Sequence, residues 1–465
     1  MLFSSMSFVF VFLPLVLILY WLCRSRDAKN AVLLAASLLF YGWGEPKYLL
    51  VMLISILVTW GAALVIAGTK RKRLGLACAV IVDLGILVYF KYTNFIFENI
   101  NAVFSAQLDP LYIVMPIGIS FYTFQAVSYL VDVYRGEVQV QRNLYKLMLF
   151  ITMFPQLVAG PIVKYRDICD QIDHRQEDLS DFSLGVRRFI VGLAKKMLIA
   201  NTMGAVADKI FTVPVDQFDT LTAWIGAVSY SFQIYYDFSG YSDMAIGLCL
   251  MFGFKIPENF NYPYTASSIT EFWRRWHISL STWFKEYLYI PLGGNRVSKG
   301  RNLFNLFAVF LATGVWHGAS WNFVVWGLWH GLFIIIEKLT GWHKADRVPP
   351  PAKILRHAST LLIVLIGWVF FRADTLGYGW DYILNMIGML DDAQAYASLS
   401  YYVDRHTLMI FVVATMLSMP VARNLIRAKR IVPAIAADIW LLVLFVCSWA
   451  TMAASTYNPF IYFRF

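Results

Sequence analysis

Seven histidines occur in the chain, and three sit where an imidazole is expensive. His317 and His330 lie in GVWHGASWNFVVWGLWHG, residues 314–331, and His277 lies in WRRWHISLSTW, residues 273–283. The first stretch is rich enough in Trp, Val and Phe for a bilayer to accept. A neutral imidazole is the least costly ionisable group to hide from water, yet both ring nitrogens still require partners. An intramembrane histidine therefore signals either chemistry or a bonded neighbour. For His317 and His330 the two readings, catalysis and a packed ring donating to a carbonyl, stand level. No carboxylate or thiol accompanies them to complete three or four metal ligands, so a zinc site is disfavoured and no metal is expected. GxSxG and P-loop patterns are absent, which removes the ordinary hydrolase and nucleotide triphosphatase readings. What remains is a general base that deprotonates a hydroxyl in a dry tunnel, which fits acyl transfer. On one continuous helix the thirteen-residue gap from His317 to His330 would set the rings on roughly opposite sides. Gly318 and Ser320 are positioned to break that helix, but the spacing does not suggest a catalytic pair. His174, His343, His357 and His406 fall near span ends or in polar loops, where solvated side chains are expected.

The elements that position these residues are membrane helices. The chain has 465 residues, 59% hydrophobic and 15% charged, with mean hydropathy +0.59. Soluble domains run at roughly 45–50% apolar and about 25% charged, so this is an all-α polytopic membrane protein. Apolar runs at 7–23, 31–44, 48–68, 74–92, 111–131, 144–163, 220–236, 302–316, 321–336, 358–371, 407–422 and 434–453 predict about ten to twelve membrane segments, some tilted or re-entrant. The first run lacks a basic leader and a small-residue cleavage site, so it reads as a retained span. Arg24, Arg26 and Lys29 follow it, and Lys70–Arg73 follow two spans later, which predicts an N-terminus facing outward, with 93–110 outside as well. The net charge of +10 is then topology, and no nucleic-acid role is needed. Cys23, Cys78, Cys169, Cys249 and Cys447 stand singly and read as packing residues.

Residues 1–131 read as scaffold spans, in which Asp83 is expected to hydrogen-bond a neighbouring helix rather than relay protons. Between 132 and 301 the pattern changes. FPQLVAGPIVKYRD breaks an apolar run with Pro155, Gly160 and Pro161, and its freed backbone groups must be shielded by other helices or line a cavity. RRFIVGLAKKM, 187–197, reads as a surface helix held by membrane lipid. YDFSGYSDMAIG, 236–247, reads as a polar break whose Asp237 and Asp243 cap and pack or meet substrate. ITEFWRRWHISLSTWFKEYLYI reads as one amphipathic helix of about six turns, capped by Ser267 or Ser268 with Glu271 in its first turn. Arg274, Arg275 and Lys285, with Trp276 beside them, would suit a phosphate-bearing ligand approached from the cytoplasm.

ENFNYPY, ITEFWRRWHISLSTWFKEYLYIPLGGNR and GVWHGASWNFVVWGLWHG, with PIGISFYTFQAVSYLVDVYRG, YYDFSGYSDMAIGL and the closing YNPFIYFRF, resemble the membrane-bound O-acyltransferase (MBOAT) superfamily. The likeness is to its bacterial branch of alginate, peptidoglycan and cellulose O-acetylation subunits, strongest over 111–339 and weak over 380–435. The resemblance implies a single MBOAT-type domain over 1–465, with scaffold helices 1–131, a catalytic core 132–339 and C-terminal helices 340–465. It further implies a ring of tilted helices around a central tunnel in the bacterial inner membrane, with a periplasmic N-terminus. No cofactor is bound permanently; acetyl-CoA is the donor substrate, and the acceptor is a periplasmic partner protein or a polysaccharide hydroxyl. Carried over by position, His317 matches the catalytic histidine and His277 the second motif histidine. His330 occupies a recurrent position read as packing or support, and His277 or the Asn322 amide is expected to stabilise the oxyanion. Two rival functions remain: the same chemistry fed by a carrier protein bearing D-alanine, and a non-catalytic transport or scaffold subunit of a secretion complex.

Overall fold

The helix boundaries follow local chemistry. Ser25, Asn143, Ser268, Thr375 and Asp404 each accept a backbone N–H at a helix start, while Gly136 and Gly341 end helices in the left-handed region that only glycine enters freely. The computed structural model describes residues 1–342, 349–390, 397–420, 434–455 and 457–461. Every regular element among them is helical. His343, and residues 391–396 and 421–433 of the weakly matching 380–435 stretch, lie outside the described residues.

Six described helices are long and apolar enough to cross a membrane: Pro46–Gly68, Lys72–Phe104, Leu179–Phe211, Trp321–Thr340, Pro350–Arg372 and Ile435–Ala454. Phe8–Leu22 and Arg405–Leu417 are shorter apolar helices. The expected ten to twelve segments are thus not all full spans. The apolar run at 144–163, for example, becomes the nine-residue helix Leu144–Thr152, the single turn Phe154–Leu157 and a non-helical piece. Lys72–Phe104, at 33 residues, is about 50 Å long and overhangs a hydrocarbon core of about 30 Å.

The chain divides into two compact units, Met1–Phe189 with Tyr241–Pro257, and Ile190–Gly240 with Glu258–Phe465. In the first unit, Phe3, Phe8, Phe12, Phe40 and Phe154 interlock at ring distances of 4.9 to 6.5 Å. Residues 151–165 are buried throughout, which satisfies the shielding that Pro155, Gly160 and Pro161 demand. Asp83 accepts hydrogen bonds from Ser55 and Thr59 of the neighbouring helix, each at 3.3 Å, as expected of a packed acid.

Two sequence expectations need correction. The 187–197 stretch is not a surface helix. It belongs to the candidate span Leu179–Phe211, and two of its four cations are neutralised by acids: Arg188 pairs with Asp243 at 2.9 Å, and Lys196 pairs with Asp237 at 2.7 Å. YDFSGYSDMAIG does not break either. It lies within one continuous helix, Thr220–Met251, because those cations remove the need for water at its acids.

At one end of the first unit, Glu177 gathers Arg26, Tyr20 and Lys29, and Arg175, fully buried, lies over the Phe254 ring at 4.4 Å. Burial pushes the Glu177 carboxyl up, but the hydrogen bonds from Arg26 and Tyr20, with the charges around it, outweigh burial and hold it at about 2. A carboxyl whose folded value lies below its unfolded one stabilises fully above the ordinary value and loses that contribution as pH falls through the folded value. Glu177→Gln is expected to lower stability by about 1–2 kcal/mol at pH 7. Thermal unfolding in detergent should show the deficit intact above about pH 4.5 and closing as the pH falls toward 2.

Candidate active site

The site lies wholly within the second unit, and its frame starts at a buried acid. Glu337, on the helix Trp321–Thr340, accepts the backbone N–H of Ile269 at 2.5 Å and that of Thr270 at 2.8 Å. It thereby caps the start of the short helix Ile269–Arg275, whose N-cap is Ser268, with Glu271 returning a bond to the Ser267 N–H at 2.9 Å. The expected capping is present. The expected six-turn helix is not: Trp276 leaves helical geometry and His277 takes φ 42°. The chain then restarts as Ile278–Phe284 and a π-helical turn, Lys285–Tyr289.

A left-handed non-glycine residue is strained and persists only when its surroundings impose it. Here Asn259 and Asn261 impose it. Ile278 N–H donates to the Asn259 carbonyl and Asn261 N–H to the Arg275 carbonyl, both at 2.9 Å, clamping the break from both sides. The Asn259 side-chain oxygen also accepts from the Ser279 N–H at 3.2 Å and the Ser279 hydroxyl at 2.9 Å, and it faces His277 Nδ1 at 3.1 Å. A backbone N–H can only donate, so that Asn259 atom is the oxygen and His277 Nδ1 carries a proton. In the neutral ring Nε2 is then a bare acceptor. It has no hydrogen-bond partner among the described residues, and the ring packs edge-on against Phe238 at 4.6 Å.

His317 ends the helix Lys299–His317, where Gly318 turns the chain into Trp321–Thr340. The two helices approach closely: a Cβ on Gly314 would sit 3.1 Å from the Gly327 Cα. The His317 ring is 6% exposed and is walled by Trp326 at 4.8 Å, Trp316 at 4.9 Å and Phe371 at 5.1 Å. It borders a cavity of about 10 Å³, room for about one water, lined also by Ile234, Phe238, Trp276, Trp326, Trp368, Phe371 and Ile461. Among the described residues His317 is the only titratable group in that wall.

The other expected site residues divide. His330 packs against Trp326 at 5.2 Å and Trp273 at 5.3 Å, and Gly367 leaves room for its Nε2. It is not among the residues that line the His317 cavity. The Asn322 amide donates to the Ala373 carbonyl at 2.5 Å, at the end of the helix Pro350–Arg372, and is absent from the cavity wall. Arg275 is bound to Glu271 at 2.7 Å, Arg274 and Lys285 are exposed, and Trp276 belongs to the cavity. The four do not form one cluster. Sequence reasoning missed Asn259, Glu337, Trp326 and Trp368. Of these, the fully buried Trp326 carries an indole N–H with no hydrogen-bond partner among the described residues.

One further anchor reaches this cavity. Lys196 and Asp237, 3% and 1% exposed, form a buried pair. Lys196 also donates to the Pro459 carbonyl, and Asp237 accepts the Ile461 N–H at 2.9 Å. This pair holds the segment 457–461 so that Ile461 closes one side of the His317 cavity.

Residues 137–380 match the model of MBOAT, the membrane-bound O-acyltransferase family. Over the full length of both chains the sequence is 40% identical to a probable alginate O-acetylase AlgI of Azotobacter vinelandii. It is 46% identical to a protein of the same description from Pseudomonas aeruginosa, over 82% of this chain and 74% of that one. It is 37% identical to a peptidoglycan O-acetyltransferase of Helicobacter pylori, over 84% of this chain and 80% of the relative.

The Asn259 oxygen is the acceptor shared by the His277 ring, the Ser279 N–H and the Ser279 hydroxyl, and a buried donor that loses its acceptor costs about 1–3 kcal/mol. Asn259→Leu should therefore destabilise the protein by about 3 kcal/mol or more in detergent-solubilised thermal unfolding, while Asn259→Asp, which keeps an acceptor there, should retain most of that stability.

Proposed function

For a chain that belongs to the membrane-bound O-acyltransferase family and is an O-acyltransferase, we propose that the acyl group is acetyl, carried by cytoplasmic acetyl-CoA and delivered through the membrane to a hydroxyl on the periplasmic side. The observation that carries this reading is the imidazole of His317, the one titratable group among the described residues of a cavity wall that is otherwise aromatic and aliphatic. The enzyme lies in the bacterial inner membrane with its N-terminus periplasmic, consistent with Arg24, Arg26 and Lys29 following the first apolar run. The acceptor is a periplasmic partner protein or an exopolysaccharide or wall-glycan hydroxyl, in keeping with the alginate and peptidoglycan named for the relatives.

In this reading His317 takes the proton of the acceptor hydroxyl as its oxygen bonds to the acetyl carbon. The tetrahedral oxyanion collapses, the carbon–sulfur bond breaks, and the departing sulfur takes the proton back from the imidazolium. His277 is assigned the role of an acceptor, because its bare Nε2 cannot donate to the oxyanion while the ring is neutral. Trp326 takes the donor role first expected of His277 or Asn322, its indole N–H being buried beside His317 and without a partner among the described residues. Arg274 and Lys285, exposed near the helix break, are the cations available to acetyl-CoA phosphates. An acetyl group exceeds a cavity of about 10 Å³, so the walls must part to admit it, and Ile461 and the three tryptophans are the side chains that would move.

Labelled acetyl-CoA supplied to proteoliposomes should transfer label to alginate without a carrier protein; a requirement for a charged carrier would point to D-alanyl-type chemistry instead. His317→Ala should abolish transfer while the protein stays folded in the membrane, and polymer acetylation persisting in a His277, His317 double variant would overturn the enzymatic reading. Trp326→Phe, which keeps the ring and removes the N–H, should lower kcat by about 10²-fold with little change in KM.

A further inference from the structure

In the first unit the helix Lys72–Phe104 outruns two helices packed beside it. Phe90 meets Tyr48, near the start of Pro46–Gly68, at a ring distance of 5.8 Å. Lys91 reaches the hydroxyl of Ser120, near the start of Ile119–Arg135, at 3.5 Å. Both neighbours therefore stop at the level of residues 90–91, where Tyr89, Lys91 and Tyr92 are side chains of the kind that settle at a membrane–water boundary. Residues 92–104 continue past that level for about 20 Å. The headgroup layer adds only about 5–7 Å on each side of the hydrocarbon core, so the end of the helix stands in water.

This projection is built. Ser105, at φ 52°, turns the chain back, and Asn94 and Asn101, seven residues apart on one helix face, clasp the returning segment. Asn101 accepts the Leu108 N–H at 3.0 Å and donates its amide to the Leu108 carbonyl at 2.9 Å. Asn94 makes the same two bonds to Leu111, both at 2.9 Å. What the clasp holds out is apolar: Phe104 is 75% exposed, Tyr112 is fully exposed, and Val103, Leu108, Leu111 and Val114 are exposed with them. A free loop needs no such fixing, and large apolar side chains held together in water mark a docking surface.

Charge selects the occupant. Glu98 and Asp109 are exposed on the tip, and no Lys or Arg occurs from 92 to 134. A second copy of the tip, an anionic bilayer surface and an acidic polymer are all repelled by it, whereas an apolar groove rimmed by Lys and Arg is attracted. Lys70–Arg73 stand at the opposite end of the same helix. With that cluster cytoplasmic, the tip faces the outer compartment.

We propose that the tip formed by residues 92–114 docks a soluble protein of the outer compartment, seating Phe104 and Tyr112 in an apolar groove rimmed by basic residues. Docking from that side rests on the cytoplasmic placement of Lys70–Arg73 and not on the chemistry at His317. The side is checked by a membrane-impermeant maleimide, which should label Gln107→Cys in intact cells above the level of the unsubstituted chain; absence of that labelling overturns the proposal. For the partner, full-length protein carrying His317→Ala and a photo-reactive benzoylphenylalanine at position 107 is cross-linked in its own cells. The captured protein is identified by mass, purified and titrated against the chain in nanodiscs. Support is a protein with a Lys- and Arg-rimmed apolar groove whose affinity falls by about tenfold or more on Phe104→Ser and on Tyr112→Ser. Its affinity should also fall by about threefold or more when Glu98→Gln is combined with Asp109→Asn, or as salt rises from about 0.1 to about 0.5 M. Asn101→Ala, which keeps every apolar side chain and releases the clasp, should weaken binding too. Adducts with lipid or a second copy alone, a captured protein without such a groove, or affinity indifferent to Phe104 and Tyr112 would each overturn it. Because this chain cannot transfer acetyl groups, a failure here is distinguishable from a failure of acetyl transfer in proteoliposomes.

Discussion

A charged or hydrogen-bonding group that is carried away from water must bring its partner with it, and the architecture of this protein follows from that rule. Asp83 is met by two hydroxyls of the next helix. Asp237 is met by Lys196 and a backbone N–H, and Glu337 by the first N–H groups of a helix. Each acid fixes the element that satisfies it, so polar matching doubles as alignment. Glu337 sets where Ile269–Arg275 begins, and hence where Trp276 enters the cavity wall. The Lys196–Asp237 pair sets where Ile461 closes it. The imidazole of His317 is positioned by neighbours that are themselves anchored this way.

Much of this was legible in the residues. Burial of the FPQLVAGPIVKYRD break follows from its prolines, the Ser268 cap and Glu271 from their spacing, and the packing role of Asp83 from its isolation in an apolar helix. The histidines declared themselves by their cost. What escaped depended on contacts between distant parts of the chain. WRRWHIS carries neither Gly nor Pro, so local propensity reads straight through it. The break at His277 is imposed by Asn259 and Asn261, which precede it in a different segment. RRFIVGLAKKM looks like a surface helix until Asp237 and Asp243 are seen to pair with two of its cations. The same acids looked like a polar break for the same reason.

The span count illustrates a different limit. Apolar runs identify segments that tolerate lipid, but whether each crosses completely depends on how the chain turns within the protein. Residues 144–163 are as apolar as a span and yet fold as two short helices and a buried non-helical piece. Lys72–Phe104 goes the other way, continuing helical well past its apolar core.

The Trp326 ring touches the imidazoles of both His317 and His330, with centroids 4.8 Å from one and 5.2 Å from the other. An indole has no basic lone pair through which a proton can hop, so this contact does not relay a proton from one imidazole to the other. In the proposed reaction the proton taken up at His317 passes to the leaving sulfur. Each cycle would thus move a neutral acyl group and no net charge across the bilayer, which decouples the enzyme from the membrane potential and leaves the thioester bond as its sole energy source.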